Sequence, residues 1–295
     1  MLQIVTRSLA FAFFFFCTCF FVQAQAIVHV KGQIRNFVYN KDSVRYIVAS
    51  VLDLATDENE EKIATIKSNG SFSFSLSLQR PQYIEFVYQR ARFSAFARPG
   101  STLTILFEND QPAVSLRFGG NEAQLNNEQH RFNLSFDSFR RKGRADYNKH
   151  YEKIKDTPEL FKQLAYKDLA TSEKFLQEYT RSHNVSAAFK HHASVNLRYS
   201  AGYNLLKYGD THTGVPDSFY SFLKDFPVDN PAAAFSGVYV MYLNAYEAYL
   251  SGKTGSNVDN YVTYLQQETN GFLRDVLFSW TMYEFLEANL LEGVE

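Results

Sequence analysis

Two cysteines, seven histidines and 31 carboxylate side chains are what this chain offers for nucleophilic, redox or metal chemistry. Cys17 and Cys19 both fall inside an apolar run near the N-terminus, so a chain without that run has no thiolate nucleophile, disulfide, CxxC redox pair or cysteine metal site. His191 and His192, with His183 nearby, form the densest imidazole cluster. Adjacent residues on a helix point about 100° apart, so the pair suits a polar helix face better than a shared ion. Asp210-Thr211-His212 could donate two ligands from a loop, but Gly209 and Gly214 flank it as in a plain interhelical turn. Asp57-Glu58-Asn59-Glu60-Glu61 has oxygens for calcium but no glycine-punctuated ligand loop, and reads as a solvated hairpin tip. GxSxG, HExxH, P-loop and GxGxxG patterns do not occur. These residues predict no catalytic set, no cofactor and no metal site, and lean away from an enzyme.

What the chain has in excess is aromatic side chain, with 28 Phe and 19 Tyr. Tyr239, Tyr242, Tyr246 and Tyr249 recur at three and four residues, the spacing of one helix face, and Trp280, Tyr283 and Phe285 follow in the last helical stretch. Exposed, these seven would be a platform for sugar rings or a partner protein. Buried, they are core with hydroxyls at the rim, which helical spacing favours. They stand as the candidate partner surface. Arg140-Arg141-Lys142-Gly143-Arg144 is a basic knot, placed by pattern at the C-terminal end of the first helix, where cations suit the macrodipole. With a formal net charge of −1 and a pI near 6.7, no nucleic-acid partner is expected.

The elements that must carry these residues begin after a leader. Arg7 precedes an apolar run from Leu9 to Val22, and Val22-Gln23-Ala24-Gln25-Ala26 supplies small residues for cleavage, which predicts a secretory signal over residues 1–26 and a periplasmic location. The run is short for a bilayer, so no transmembrane span is expected after cleavage. Phe14 to Phe16 and Thr18 around the cysteines depart from the leucine and small residues of a lipidation site, which disfavours a lipoprotein. About 270 residues then remain, enough for two domains with cores of their own.

Residues 27–120 read as strands: Ile27 to Ile34, Val44 to Leu54, Lys62 to Ser68, Ser71 to Leu78, Tyr83 to Gln89, Arg92 to Ala97, Leu103 to Phe107 and Val114 to Phe118. Asn69-Gly70 predicts a hairpin between the third and fourth, and in the fourth Phe72, Phe74, Leu76 and Leu78 alternate with serines, one face buried and one wet. At Gly119-Gly120-Asn121 the hydrophobic period changes from two to that of a helix, and the paired glycines read as a flexible turn. Residues 121–295 then read as helical hairpins. Thr157-Pro158-Glu159 starts one helix, Asn184 separates it from the next, which runs to about Tyr208, Asn230-Pro231 starts another that ends near Gly252, and Asn257-Val258-Asp259 and Asn270-Gly271 bracket two more. The fold class is α+β, an N-terminal antiparallel β-sandwich followed by a C-terminal all-α helical-hairpin domain.

Four segments, Lys31-Gly32-Gln33-Ile34, Gly70-Ser71-Phe72-Ser73-Phe74, Arg98-Pro99-Gly100-Ser101 and Phe118-Gly119-Gly120-Asn121-Glu122-Ala123-Gln124-Leu125-Asn126, carry a resemblance. Together they resemble the N-terminal region of TlpA-like, thioredoxin-like envelope disulfide reductases of Gram-negative bacteria. In that family a β-sandwich follows the signal peptide, a helical segment follows the sandwich, and a thioredoxin domain closes the chain. Ser101 stands where the family often has an acidic residue, and no WCxxC occurs before Glu295, so no catalytic residue carries over.

Three functions follow as expectations. The first is a secreted, non-catalytic binding or scaffolding module with a protein partner in the envelope, for which the resemblance suggests a thioredoxin-like domain. The second is the front segment of a thiol-disulfide oxidoreductase whose thioredoxin domain is separate or lost. The third is a carbohydrate-binding β-sandwich protein. Phe285, Leu286, Leu290 and Leu291 are expected to leave apolar surface in want of a partner.

Overall fold

The computed structural model describes residues 26–40, 44–254, 258–268 and 271–292. The N-terminal apolar run with Cys17 and Cys19, expected to be a signal, and the side chains of Leu290 and Leu291 lie outside the described residues. Period-two alternation yields eight strands: β1 (Ala26–Arg35), β2 (Tyr46–Asp53), β3 (Glu58–Thr65), β4 (Ser71–Leu78), β5 (Gln82–Tyr88), β6 (Ala91–Ala97), β7 (Thr102–Glu108) and β8 (Arg117–Gly120). They form two four-stranded sheets, ordered β4-β1-β7-β8 and β3-β2-β5-β6. Neighbours run antiparallel except β1 and β7, which pair in parallel from His29 opposite Thr102 to Arg35 opposite Glu108. Val28, Val30, Leu76 and Ile105 of the first sheet meet Ile47, Ala49, Ile84 and Phe86 of the second in a shared core.

The turn at Asn69-Gly70 forms, with Gly70 at φ 81 and its N–H donating to Lys67 O at 2.8 Å, but its arms do not make a hairpin. β3 joins β2 in the second sheet, and β4 joins β1 in the first. Turn chemistry decides where the chain reverses, whereas burial decides which sheet each arm joins, and Phe72, Leu76 and Leu78 are buried on the first sheet's inner face. The hairpin lies one connection earlier, between β2 and β3, with Asp53 opposite Glu58.

The strand expected from Val114 to Phe118 also changes. Pro112–Ser115 is a short helical turn, α1, that leaves Val114 exposed, because Pro112 suits a helix start and Ser115 Oγ donates to Gln111 O at 2.7 Å while accepting Glu108 N–H at 2.8 Å. Gly119 and Gly120 lie within β8, opposite Thr104 and Leu103, and not in a flexible turn. Gly120 sits at φ 95, and a Cβ there would come within 2.0 Å of Thr102 O, so only glycine lets β8 close on β7. Asn127 binds both Phe118 N–H (3.0 Å) and Phe118 O (2.7 Å), which ties the next helix to β8.

Helices follow without another strand among the described residues: α2 (Ala123–Ile154), α3 (Pro158–Ser182), α4 (Ala187–Thr211), 3₁₀ segments at Asp217–Lys224 and Pro231–Ala233, then α5 (Gly237–Thr254), α6 (Val258–Glu268) and α7 (Gly271–Glu292). α2 continues through Arg140 to Arg144, so that basic knot is mid-helix and not a helix end, and Arg140 pairs with Asp168 of α3 at 2.9 Å. α4 runs past Gly209 to Thr211, since burial of Leu205, Leu206 and Tyr208 outweighs the ~1 kcal/mol cost of one helical glycine. Phe161, Tyr199, Leu205, Tyr242 and Trp280 centre the helical core. A third cluster, with Phe96, Leu125, Phe132, Phe189 and Ala193, joins the second sheet to α2 and α4. Among the described residues no helix is long and apolar enough to cross a membrane.

Candidate functional site: the cleft between sheet and helices

The second sheet has two faces with different fates. Its inward residues Ala49, Ile84, Phe86 and Ala95 are buried in the sandwich, so period two turns Ser50, Glu85 and Ser94 outward. The register sets these three side by side, Ser50 opposite Glu85 and Glu85 opposite Ser94. α2 and α4 pack on one end of this face, and α5 reaches its other end where Asn244 meets Asp57, leaving a cleft of about 670 Å³ between sheet and helices. Ser50, Leu52, Asn59, Glu85 and Ser94 form its floor. The helices contribute Phe132, Asn133 and Phe136 from α2, Asn196, Ser200 and Tyr203 from α4, and Met241 and Asn244 from α5.

Hydrogen bonds orient the polar helix residues. Ser236 Oγ accepts the Tyr239 N–H at 3.2 Å and donates to Asn196 Oδ1 at 2.6 Å, which leaves the Asn196 amide nitrogen as a donor. Gln129 Nε2 donates to Asn133 Oδ1 at 2.8 Å, while Gln129 Oε1 is buried without a partner. At the closed end Asn126 spans Phe96, accepting its N–H at 2.7 Å and donating to its carbonyl at 2.9 Å.

His192 turns into this closed end. Its ring stacks on Phe235 (3.9 Å between centroids), meets Phe96 edge-on (4.7 Å), and shares a 3.0 Å hydrogen bond with the Tyr83 hydroxyl. Burial, then the nearby His191 and Arg98, lower its pKa to about 4. His191 points to solvent and His183 stacks on Tyr179, so the histidines that neighbour one another in sequence do not converge.

The other end of the cleft is acidic. The β2–β3 tip is gripped by α7, with Trp280 Nε1 donating to Leu54 O at 2.7 Å and Ser279 Oγ to Ala55 O at 2.6 Å. Asn244 of α5 donates to Asp57 Oδ2. The expected solvated tip is therefore only partly right: Glu58, Glu60 and Glu61 are exposed but belong to β3, paired with Asp53, Val51 and Ser50, and Asp57 in the turn is half-buried. Burial and the Glu284 carboxylate raise its pKa to about 6, against the Asn244 hydrogen bond. Burial and Glu284 likewise raise Glu247 to about 7, with Asp57 adding and the Tyr261 hydroxyl (3.4 Å) opposing. Among the described residues no group of three or more His, Cys, Asp or Glu is placed to hold a metal ion.

The seven aromatics singled out by spacing do not assemble into one surface, and none of them lines the cleft. Tyr239, Tyr242 and Trp280 are buried, which removes them from any partner surface. Their polar atoms reach backbone carbonyls, Tyr239 OH to Val228 O (2.5 Å) and Tyr242 OH to Phe226 O (2.7 Å), so the rings enter the core at no hydrogen-bonding loss. Tyr246 and Tyr249 are half-buried against the same core, Tyr283 is half-buried, and Phe285 is exposed. The polar positions on β2, β5 and β6 were the sequence signal for the cleft floor. What covers them had none. No family model, curated protein or solved structure matches this chain.

Proposed function

We propose that this chain is a secreted, periplasmic binding module that holds a small ligand, without transforming it, in the cleft between the second sheet and α2, α4 and α5. The observation that carries this reading is the cleft itself. Its volume of about 670 Å³ falls in the ~300–1,000 Å³ range of small-molecule sites, and hydroxyls and amides converge on it from both sides. The absence of cysteine between residues 26 and 292 supports binding over thiol exchange. The leader-like N-terminus and the resemblance to the front of TlpA-like proteins support the envelope setting.

The test is thermal unfolding of the purified protein with a panel of neutral saccharides, amines, amino acids and short peptides, alongside a Ser94→Trp variant. Ser94 is exposed on the floor, so the indole fills the cleft without entering the core. At least one class should raise the Tm of the wild type and leave the variant unmoved. A panel that shifts neither protein, or both equally, refutes the reading.

A second reading has its own observation. Phe278, Met282, Phe285 and Leu286 are 36%, 38%, 52% and 54% exposed along α7, an apolar stripe that suits a protein partner such as a thioredoxin-like domain. Unchanged pull-down of such a domain by a Met282→Glu, Leu286→Glu variant would sink it.

A further inference from the structure

We infer that the ligand of this cleft is an uncharged, polyhydroxylated molecule, a saccharide of one or two rings. The inference rests on the cleft being a binding site and adds the chemical class that the cleft selects.

The floor presents hydroxyl, carboxylate and hydroxyl in one row, Ser50, Glu85 and Ser94, on adjacent strands about 4.8 Å apart. Among the described residues none of these three side chains has an intramolecular hydrogen bond. A carboxylate accepts two O–H donors, and a serine hydroxyl both donates and accepts, which matches the hydroxyls around a sugar ring. Asn196 lines the helical side, and because Ser236 holds its oxygen its amide nitrogen is left as a donor. Phe136 and Met241, half-buried and exposed respectively, supply the apolar surface that the C–H face of a sugar ring covers.

Other ligand classes fit less well. An anionic ligand needs cations, and among the described lining side chains Lys207 alone is cationic, already paired with Asp210 at 2.6 Å. A peptide bound as an added strand needs a free sheet edge, whereas β2 and β5, which carry most of the floor, are the two central strands with neighbours on both sides. An amine ligand is best held by paired carboxylates. Glu85 stands between two serines in its row, and the other carboxylate of the lining, Asp57, lies at the tip bonded to Asn244 and not beside it.

The experiment is calorimetric titration of the full chain with maltose, cellobiose and N-acetylglucosamine, with spermidine and trialanine as the competing classes. It is repeated on Glu85→Gln, Ser94→Trp and Glu60→Gln, all exposed positions whose folding is checked by circular dichroism. A saccharide should bind the wild type, lose about tenfold in affinity in Glu85→Gln, as expected for a hydrogen bond to a charged acceptor, and lose binding in Ser94→Trp. Glu60→Gln, outside the cleft, should bind as wild type. Saccharide binding that both cleft variants retain overturns the inference. Binding of spermidine or trialanine alone, abolished by Ser94→Trp, overturns the ligand class and leaves the cleft reading standing. Binding of none of the probes overturns both.

Discussion

Replacing His192 with phenylalanine would expose how much of this fold's acid sensitivity lies at the seam between sandwich and helices. The native ring is buried against Phe96 and Phe235 and stays neutral to about pH 4, whereas the same imidazole in the unfolded chain takes up a proton near 6.5. Between those pH values the unfolded state binds more protons than the folded one, so this residue withdraws stability as pH falls through that window. The span from 6.5 to about 4, at ~1.4 kcal/mol per pH unit, sets an upper bound of ~3–4 kcal/mol. Asp57 and Glu247 act in the opposite sense. Their folded pKa values are raised, so the folded state holds protons that the unfolded state has released, and acidification stabilises it. The wild-type pH profile is therefore a partial cancellation, and the informative quantity is the difference between variant and wild type. Phenylalanine keeps the ring stack and leaves the Tyr83 hydroxyl unpaired, a cost of about 1–3 kcal/mol that does not change with pH in this range. Urea unfolding at pH 7, 6, 5 and 4 should show the variant less stable at pH 7 and the gap closing, or reversing, by pH 4. Parallel profiles across the series would show that His192 titrates alike in both states and would refute the argument.

The acidic end offers the complementary test. Glu247→Gln should be more stable than wild type at pH 8, where the native carboxylate is ionised, with the gain vanishing near pH 4, as calorimetric Tm values at the two pH values would show. Gly120→Ala forces a side chain into Thr102 O at a positive φ and should cost about 2 kcal/mol or more, read as a Tm drop of about 4–8 °C. Asn126→Leu leaves both backbone groups of Phe96 unpaired in a buried site, and should lower stability by ~2–5 kcal/mol in urea titrations.

The order of elements was legible in the chain. Alternation in Ser71–Leu78, the change of period after Phe118 and the helix start at Thr157-Pro158 are all short-range signals, written within a few residues of where they act, whereas Asn230-Pro231 starts only the 3₁₀ turn Pro231–Ala233 and the helix expected there begins at Gly237. Tertiary structure decided everything that depends on which face meets which. It sent the two arms of the Asn69-Gly70 turn into different sheets, carried α2 through a basic stretch that reads as a helix end, and drew Tyr239, Tyr242 and Trp280 into the core. The cleft belongs to this second group. Polar alternation on β2, β5 and β6 marked an outward face, but Ser50 and Asn196 lie nearly 150 residues apart in sequence, and only the packing of helices on one end of that sheet brings them to opposite walls. The shifted pKa values of Asp57 and His192 arise in the same way, because burial by a distant segment, not the neighbours in the chain, sets the environment in which a group must ionise.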